Sequence, residues 1–275
     1  MIKKILDKYF IKKPRFRELV TKIIYGSSNT DINIFGNRLT INKLRENGYF
    51  RASKKIKNSS LLEDEVPVIM TLLSQMENDG CFVDVGANIG LFSSIFAQKA
   101  KIFKNFQVFA FEVNPETFKR TKANANKNGF KAFNIGISKT EKKLKFVEGA
   151  VSHVTTIEEK INKYSIKEKN FIALCKPLDN ILSNKKNILL KIDVEGQERE
   201  VLQGAKHLIR RGAIKAIYID GYDDPSVWEA LEKEFLLLDG RTLEVANRAT
   251  HSLLALQRLG NKSLAKSFDI LKKEK

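Results

Sequence analysis

Residues that build disulfide or zinc frameworks are scarce in this chain of 275 residues. It has two cysteines, Cys81 and Cys175, which lie far apart and outside any CxxC pair, and three scattered histidines. This spacing excludes a disulfide framework and a zinc site, and no other ligand cluster indicates a metal. We therefore assign no metal ligands and leave a metal requirement open, and we expect two buried structural thiols and a reducing, cytoplasmic setting.

Long apolar runs are missing as well, and turn-forming residues are few. No apolar run approaches the ~20 residues that a helix needs to cross a bilayer. The first residues, MIKKILDKYFIKK, are basic but lack a continuous apolar core and a small-residue cleavage site, so we expect no secretory signal. Five prolines and fifteen glycines exclude a fibrous or linker-like chain. A hydrophobic content of 43% suffices for one sizeable core.

Acidic residues are outnumbered by basic ones, 32 against 49, which gives a net charge of +17. Such an excess favours an anionic partner: nucleic acid, an anionic membrane surface or a phosphorylated substrate. The lysines are spread along the whole chain, which is equally typical of a lysine-rich genome without such a partner. The amphipathic residues 1–25 are compatible with peripheral membrane contact, with a packing helix or with a mobile arm. The sequence does not indicate the oligomeric state.

The order of predicted elements indicates an α/β fold. Thr30–Phe50 predicts a β-hairpin, and from Cys81 onward short apolar strands alternate with amphipathic helices. The predicted strands include KAFNIGI, and the predicted helices include Pro115–Asn128, 197–211 and 225–235. This alternation is typical of a doubly wound, Rossmann-like sheet that is mostly parallel. The late pair TLEVANR and HSLLALQR predicts an antiparallel edge. We divide the chain into an N-terminal extension of basic helices and a hairpin (1–60), a main domain (61–260) and a basic tail (261–275).

The stretch FVDVGANIGLF places Asp84, Gly86, Asn88 and Gly90 between a predicted strand and a predicted helix. Glycines allow a tight turn and a close approach of the backbone to a ligand. The helix that follows offers unpaired N–H groups to an anion. This pattern is typical of nucleotide-cofactor sites at the carboxyl ends of parallel strands. The alternative is a strand-to-helix turn that merely needs glycine.

Two further features limit the class of cofactor that the sequence predicts. The dinucleotide fingerprint G-x-G-x-x-G is broken here by Asn88 and Leu91, and no phosphate-binding G-x-x-x-x-G-K-[ST] loop occurs, so NAD and nucleoside triphosphates are disfavoured. The next strand, FAFE, ends at Glu112, whose carboxylate can accept both hydroxyls of a ribose. The alternative for Glu112 is an exposed charge at a strand end. An aspartate, a glycine turn and a strand-end acid without a pyrophosphate loop are typical of S-adenosylmethionine sites.

Several segments together resemble one protein family. They are FVDVGANIGLFS, FAFEVNPETF, NIGIS, KPLDNIL and LLKIDVEGQEREVLQGA. With them the chain, from about Thr30 to Arg258, resembles the FkbM family of S-adenosylmethionine-dependent methyltransferases. The resemblance implies a class I methyltransferase fold, whose seven-stranded sheet has its last strand antiparallel, and makes 61–260 the cofactor-binding domain. It also implies O-methylation of a hydroxyl on a small-molecule or glycan acceptor, often a saccharide or a polyketide-type product.

The resemblance further implies which residues contact S-adenosylmethionine. Family members often carry proline where Val113 stands, which changes the stiffness of the loop but keeps the acid before it. They commonly carry glutamate where Asp220 ends the strand AIYID, and the shorter carboxylate reaches less far towards a substrate. Ser138, after the third strand, is a candidate for the adenine edge or a simple turn serine. The implied cofactor contacts are Asp84, Gly86, Ala87, Asn88, Gly90, Glu112 and Val113, with Val113 beside the adenine.

The segment LLKIDVEGQE carries the candidate catalytic residues. A strand over Ile188–Val194 places Asp193 and Glu195 on one face at its carboxyl end, because side chains alternate with a period of two. We expect Asp193 to position cofactor and acceptor, and Glu195 to contact the acceptor or to act as its base. The alternative is that either acid caps the next helix. Lys191, on the same strand, can pair with either acid.

His153 is a further candidate base, because an unperturbed histidine titrates near neutrality, and a surface-loop histidine is the alternative. We interpret His207 and His251 as structural, and we expect residues 148–170 and 1–60 to cover the acceptor. The net charge keeps open an RNA methyltransferase, although no dense patch of basic and aromatic residues supports it. A non-catalytic binding module and an NAD-dependent enzyme are the remaining alternatives.

Overall fold

A seven-stranded β-sheet forms the centre of the computed structural model, which describes residues 14–54, 65–148, 155–157 and 169–258. Its strand order is β12-β13-β11-β10-β3-β4-β5. The strands of this sheet are β3 (Cys81–Val85), β4 (Gln107–Phe111), β5 (Lys131–Phe133), β10 (Ile188–Ile192), β11 (Ile214–Ile219), β12 (Phe235–Asp239) and β13 (Leu253–Gln257).

The order of these strands reverses between β3 and β10. The chain runs from β3 to β4 and β5 on one side, and from β10 to β11 on the other, with every one of these neighbouring pairs parallel. Only β13 runs against its neighbours β11 and β12. The predicted doubly wound sheet with an antiparallel strand near one edge is therefore confirmed. Ligands of such sheets bind where the order reverses, at the carboxyl ends of the strands.

Helices cover both faces of the sheet and build two apolar cores. The predicted helix Pro115–Asn128 forms with those bounds because both ends carry strong signals. Asn114 caps its first turn by accepting hydrogen bonds from the Glu116 and Thr117 amides, and Gly129 ends it in the left-handed conformation. The described helices are α1 (Pro14–Tyr25), α2 (Asn47–Ser53), α3 (Val66–Ser74), α4 (Leu91–Ala100), α5 (Pro115–Asn128), α6 (Leu178–Ile181), α7 (Glu198–Gly204), α8 (Lys206–Arg210) and α9 (Ser226–Leu231).

The predicted hairpin consists of β1 (Asn29–Ile34) and β2 (Asn37–Asn42), and it packs on α5 through the fully buried Asn124. The side-chain amide of Asn124 donates to the Thr40 and Ile89 carbonyls, and its oxygen accepts from the Thr40 amide. One side chain thus joins the hairpin, α5 and the turn after β3. In the described part of the chain, no helix is long and apolar enough to span a membrane.

A second sheet lies beside the first and was not expected. The single predicted strand KAFNIGI is wrong, because the chain leaves the central sheet after Phe133. The Asn134 side chain donates to the carbonyls of Glu112 and Val113, and the chain then enters the second sheet at Gly136. That sheet has the order β6-β9-β7-β8, with β6 (Gly136–Ile137), β7 (Lys142–Glu148), β8 (Thr155–Ile157) and β9 (Lys169–Lys176).

Three other boundaries differ from the prediction. The strand that pairs with β13 is β12, which has the sequence FLLLD, rather than the predicted TLEVANR. This apolar run forms the strand because it buries residues on both of its faces, although the prediction assigned its first residue to a helix. The predicted helix 197–211 breaks at Ala205 into α7 and α8. Strand β10 stops at Ile192 rather than Val194, because Glu195 and Gly196 adopt positive φ angles of 44° and 87°.

Candidate functional site

A cavity opens at the carboxyl ends of β3, β4 and β10, beside the point where the strand order reverses. Its walls come from the central sheet and the segments that follow its strands, from the second sheet, from the segment between β2 and α2, and from Thr117 on α5. The predicted site residues that line it are Gly86, Asn88, Glu112, Val113, Asp193 and Glu195.

The glycine turn fits closely against the end of β10. Gly86 has a φ of 75°, and a Cβ built on it would lie 1.8 Å from the carbonyl oxygen of Asp193. Gly90 has a φ of 79°, and its Cβ would lie 2.7 Å from the Phe130 ring. Both positions therefore require glycine for two reasons, backbone conformation and space. Ala87 and Gly90 belong to the turn but are outside the cavity lining.

Glu112 is held at the floor of the cavity by two backbone amides. Its Oε2 accepts from the Asn88 amide and its Oε1 from the Asn114 amide, both at 2.8 Å. Burial raises the pKa of Glu112 to about 7, although the two amide hydrogen bonds oppose this rise. Each carboxylate oxygen keeps a further lone pair for a hydroxyl donor. Because the amides orient both oxygens, Glu112 is suited to hold a ribose.

Asp84 lies beneath the turn and does not line the cavity. Its Oδ2 accepts from the amide of Ser93 at 3.2 Å and from the Ser93 hydroxyl at 2.8 Å, so it holds the first turns of α4. Its Oδ1 lies 3.6 Å from Nζ of Lys191. The structure therefore gives Asp84 a positioning role for the turn, and any direct cofactor contact stays a prediction.

The remaining predicted site residues are Ser138 and His153. Ser138 is buried outside the lining, where its hydroxyl lies 3.3 Å from Oε2 of Glu200, which favours the structural alternative. His153 lies outside the described residues, as does most of the predicted cover 148–170. Their proposed roles stay predictions.

Lys191 is a buried cation at the end of β10. Its Nζ lies 3.1 Å from Oδ2 of Asp193 and 5.2 Å from the centre of the Phe92 ring. Burial alone would lower the pKa of Lys191, but Asp193 and Asp84 raise it well above its usual value. Lys191 therefore stays charged and fixes the Asp193 side chain at the border of the cavity.

Asp193 and Glu195 both line the cavity, but not through strand alternation. The strand ends before them, and the positive φ of Glu195 sets its direction instead. Burial first, and then Asp193, Glu198 and Asp220, raise the pKa of Glu195. The two acids therefore line one cavity, but not as neighbours on one face of a strand, and their catalytic roles stay predictions.

Two charged residues between β2 and α2 complete the cavity and were missed. Arg45 and Glu46 line it, and each makes an ion pair with a different element. Arg45 contacts Glu148 at the end of β7, and Oε1 of Glu46 lies 2.5 Å from Nη2 of Arg120 on α5. These pairs join distant parts of the sequence, so periodicity gives no signal for them. The only local hint is a pair of charges directly after the hairpin.

Apolar side chains form one wall of the cavity. This wall is formed mainly by the start and the middle of the second sheet, which the sequence did not reveal. A flat purine ring would be held by such a wall next to a ribose-binding carboxylate. The apolar side chains in question are Val113, Ile135, Ile137, Leu144 and Phe146.

The charge of the cavity limits the ligand. Four carboxyl groups line it, on Glu46, Glu112, Asp193 and Glu195, against the single guanidinium of Arg45. Two of these carboxylates are paired with cations behind the lining, Glu46 with Arg120 and Asp193 with Lys191, and the lining itself keeps an excess of acidic groups. This balance suits a cationic ligand and opposes a doubly charged pyrophosphate. Among the described residues, no group of three or more His, Cys, Asp or Glu side chains is arranged to hold a metal ion. The residues therefore fit S-adenosylmethionine, which carries a positive sulfonium.

A doubly wound sheet with this cavity defines an α/β domain that binds a nucleoside cofactor at its strand-order reversal. The comparison with known families agrees: the family model described as "Methyltransferase FkbM domain" matches residues 84–239. The chain belongs to this FkbM methyltransferase family, and its sheet is the class I methyltransferase fold.

One curated relative and several solved structures are similar to the chain. The hexuronic acid methyltransferase AglP of Haloferax volcanii is 30% identical over 171 residues, which cover 60% of this chain and 66% of that protein. An FkbM methyltransferase from Methylobacillus flagellatus KT is 15% identical, with a TM-score of 0.42 over 70% of this chain and 58% of that one. A TehB-like methyltransferase from Corynebacterium glutamicum is 10% identical, with a TM-score of 0.40 over 77% and 97%.

Proposed function

We propose that the protein is an S-adenosylmethionine-dependent methyltransferase that methylates a hydroxyl on a saccharide or another small-molecule or glycan acceptor. The observation that carries the proposal is the fixed carboxylate of Glu112 beside the glycine turn and the apolar wall. Membership of the FkbM family supports the reaction class. The relative that is named for a hexuronic acid supports a sugar as the acceptor.

In this proposal, different cavity residues contact different parts of the cofactor. Glu112 accepts the ribose hydroxyls, Val113 lies against the adenine, and Gly86 lets the backbone approach the methionine part. The amides of Gly86 and Ala87 both donate to the Phe111 carbonyl at 3.0 Å, which locks the turn to the end of β4. When bound, S-adenosylmethionine supplies a methyl group on a positively charged sulfur.

The acids after β10 act on the reacting part of the ligand. Asp193 positions cofactor and acceptor, because its carboxylate is fixed by Lys191 and faces the cavity. Glu195 contributes negative charge beside it and contacts the bound ligands. Orientation of the reacting groups supplies a large part of the rate enhancement in displacements of this kind.

Location and surface contacts belong to the same proposal. Two buried free thiols, Cys81 and Cys175, support a reducing cytoplasm. Helix α1 exposes Leu19, Ile23 and Ile24, which supports peripheral membrane contact through this basic end of the chain. An RNA acceptor gains no support, because Arg45 is the sole basic residue among the described cavity-lining residues.

Calorimetry tests the cofactor assignment directly. The purified protein is titrated with S-adenosylmethionine, S-adenosylhomocysteine and NAD, beside Glu112→Ala and the control Glu229→Ala, whose side chain is 61% exposed on α9. We expect the wild type to bind S-adenosylmethionine and S-adenosylhomocysteine saturably and not to bind NAD. We expect Glu112→Ala to lose the binding of both sulfur ligands and Glu229→Ala to keep it. Binding of NAD alone, or full affinity in Glu112→Ala, would overturn the assignment.

A further inference from the structure

A row of polar side chains crosses one face of the central sheet near its carboxyl edge. Asp84 on β3, Lys191 on β10 and Tyr218 on β11 are neighbours in register, and all three are buried. The residues two positions earlier on these strands, Phe82 and Leu189 among them, belong to the apolar core of the same face. The face thus changes from apolar to polar just before the strands end. Buried polar groups at such a place need partners.

Further ionisable groups lie over this row. Tyr49 comes from α2, Glu65 from the residue before α3, and Asp193 and Asp220 follow the ends of β10 and β11. Burial raises the pKa of Tyr49, and Glu65, Asp193 and Asp84 raise it further while Lys191 opposes them. Nζ of Lys191 lies 3.1 Å from Asp193 and 3.6 Å from Asp84, and the same three charges act on Tyr49 and Glu65, so these groups lie near one another. We call Tyr49, Glu65, Lys191, Asp193 and Asp220 the polar site.

Glu65 is the member of the polar site with an unused oxygen. Its Oε2 is buried and has no hydrogen-bond partner among the described residues. Burial raises the pKa of Glu65 to about 7; Lys191 lowers it, and Asp220, Asp193 and Asp84 raise it. A buried carboxylate oxygen without a donor is costly to the folded chain, so a ligand that donates a hydrogen bond would be favoured there.

The polar site adjoins the cofactor cavity through one residue. Asp193 lines the cavity and at the same time makes the ion pair with Lys191. A ligand in the polar site would therefore lie next to a ligand in the cavity, on the β10 and β11 side. The Tyr49 and Glu65 positions come from the N-terminal part of the chain, before the residues 84–239 that match the family.

The charges of the polar site indicate the kind of acceptor. Four carboxyl groups, including Asp84 below the site, face a single ammonium group. Carboxylates accept hydrogen bonds and match the hydroxyl donors of a sugar, whereas a sugar carboxylate would be repelled. The tyrosine hydroxyl adds a group that both donates and accepts. These groups favour a neutral, hydroxyl-rich ring over a uronate.

We propose that the polar site binds a neutral saccharide and that Glu65 is the base that accepts the proton of its reacting hydroxyl. The acceptor O–H bond breaks and its proton passes to the Glu65 carboxylate. The acceptor oxygen forms the new bond to the methyl carbon, and the sulfur keeps the electron pair of the C–S bond that breaks. This inference rests on the proposed methyltransferase function.

Binding is tested first, with the full chain saturated by S-adenosylhomocysteine. Saturation-transfer NMR is recorded with the methyl glycosides of glucose, galactose and mannose and with methyl glucuronide, on wild type, Glu65→Gln, Tyr49→Phe and Glu77→Gln. Glu77 is 47% exposed before β3 and serves as the control. We expect the wild type and Glu77→Gln to bind at least one neutral glycoside more tightly than they bind the glucuronide. We expect Tyr49→Phe to bind that glycoside with an affinity at least about tenfold lower than the wild type does.

Transfer is tested on the neutral glycoside that binds, with isotope-labelled S-adenosylmethionine. We expect the rate of wild type to rise with pH through about 7, and Glu65→Gln to lose about a hundredfold in rate together with this pH dependence, since general bases contribute about 10²–10⁴. Preferred binding of the glucuronide, no binding of any neutral glycoside, or an unchanged rate in Glu65→Gln would overturn the proposal.

The two levels of the proposal fail in different ways. If wild type does not bind S-adenosylhomocysteine, the proposed function itself is wrong. If it binds S-adenosylhomocysteine but no neutral glycoside, only the acceptor site is wrong. Calorimetry of each variant with S-adenosylhomocysteine shows whether that variant is folded. If Glu65→Gln is not folded, the binding of glycosides by Tyr49→Phe still tests the proposed acceptor site.

Discussion

The carbonyl oxygen of Asp193 lies 1.8 Å from the position that a Cβ on Gly86 would take. The end of β10 and the turn after β3 are therefore in contact without room for a side chain. The two segments are more than a hundred residues apart in the sequence, and both line the cavity, so their contact helps to set its shape. The amide of Asp193 also donates to the carbonyl of Val85 at 3.0 Å, which holds the two segments together.

Substitution of Gly86 by alanine should impair both cofactor binding and folding. The clash with Asp193 adds to the cost of a left-handed φ, which is about 1–2 kcal/mol for an L-residue. Gly129 is a matched control, since its φ is 84° and no atom lies within 4 Å of the added Cβ. Urea unfolding and titration with S-adenosylhomocysteine should show the larger loss of stability for Gly86→Ala, and lost binding for that variant alone. Equal losses in the two variants would contradict the role given to the contact.

Loss of Arg120 should leave the Glu46 carboxylate buried without its partner. Both side chains are less than a tenth exposed, and removing one member of such a pair costs about 3–5 kcal/mol. Lys119 is the control on the same helix: its pair with Glu116 is 69% and 46% exposed, so Lys119→Ala should cost at most about 1 kcal/mol. Urea unfolding of Arg120→Ala and Lys119→Ala measures the difference. A loss in Arg120→Ala no larger than that of the control would show that the buried pair is not needed.

Cofactor affinity should depend on pH through Glu112. Its pKa of about 7 means that the group is protonated in much of the free protein below neutrality. Ribose hydroxyls donate to the ionised form, so the affinity for S-adenosylhomocysteine should rise from pH 6 to pH 8, with protons released on binding near pH 7. Glu112→Gln should bind about tenfold or more weakly at pH 8 and show no such rise, since hydrogen bonds to charged groups contribute about 1.5–3 kcal/mol. A pH dependence that survives in Glu112→Gln would assign it to another group.

Stability should show the opposite pH dependence through Glu65. The unfolded chain loses this proton near the ordinary pKa of 4.5 and the folded chain only near 7, so ionisation of the buried group destabilises the fold as pH rises between these values. The difference corresponds to about 3 kcal/mol at pH 8. Glu65→Gln should therefore unfold at higher urea concentration than wild type at pH 8 and at the same concentration at pH 4. A variant that is less stable at both pH values would show that the carboxylate is satisfied in the folded chain.

Features that depend on neighbouring residues could be predicted from the sequence. The helix Pro115–Asn128 follows from Asn114, Pro115 and Gly129, and the turn after β3 follows from Gly86 and Gly90. Short apolar runs predict the buried strands, and Glu112 is identified as a candidate because it directly follows one of these runs. From these signals came the doubly wound sheet and the cofactor class.

Where charged groups meet depends on how distant segments of the chain pack together. The ion pairs of Arg45 and Glu46, the second sheet behind Val113 and the polar site around Glu65 join segments that are far apart in the chain, and no local period encodes them. Asp84 and Ser138 look like ligand contacts in the sequence but are buried beneath or beside the cavity. Local propensity and hydrophobic pattern act over a few residues, whereas burial and electrostatic partners are properties of the packed chain.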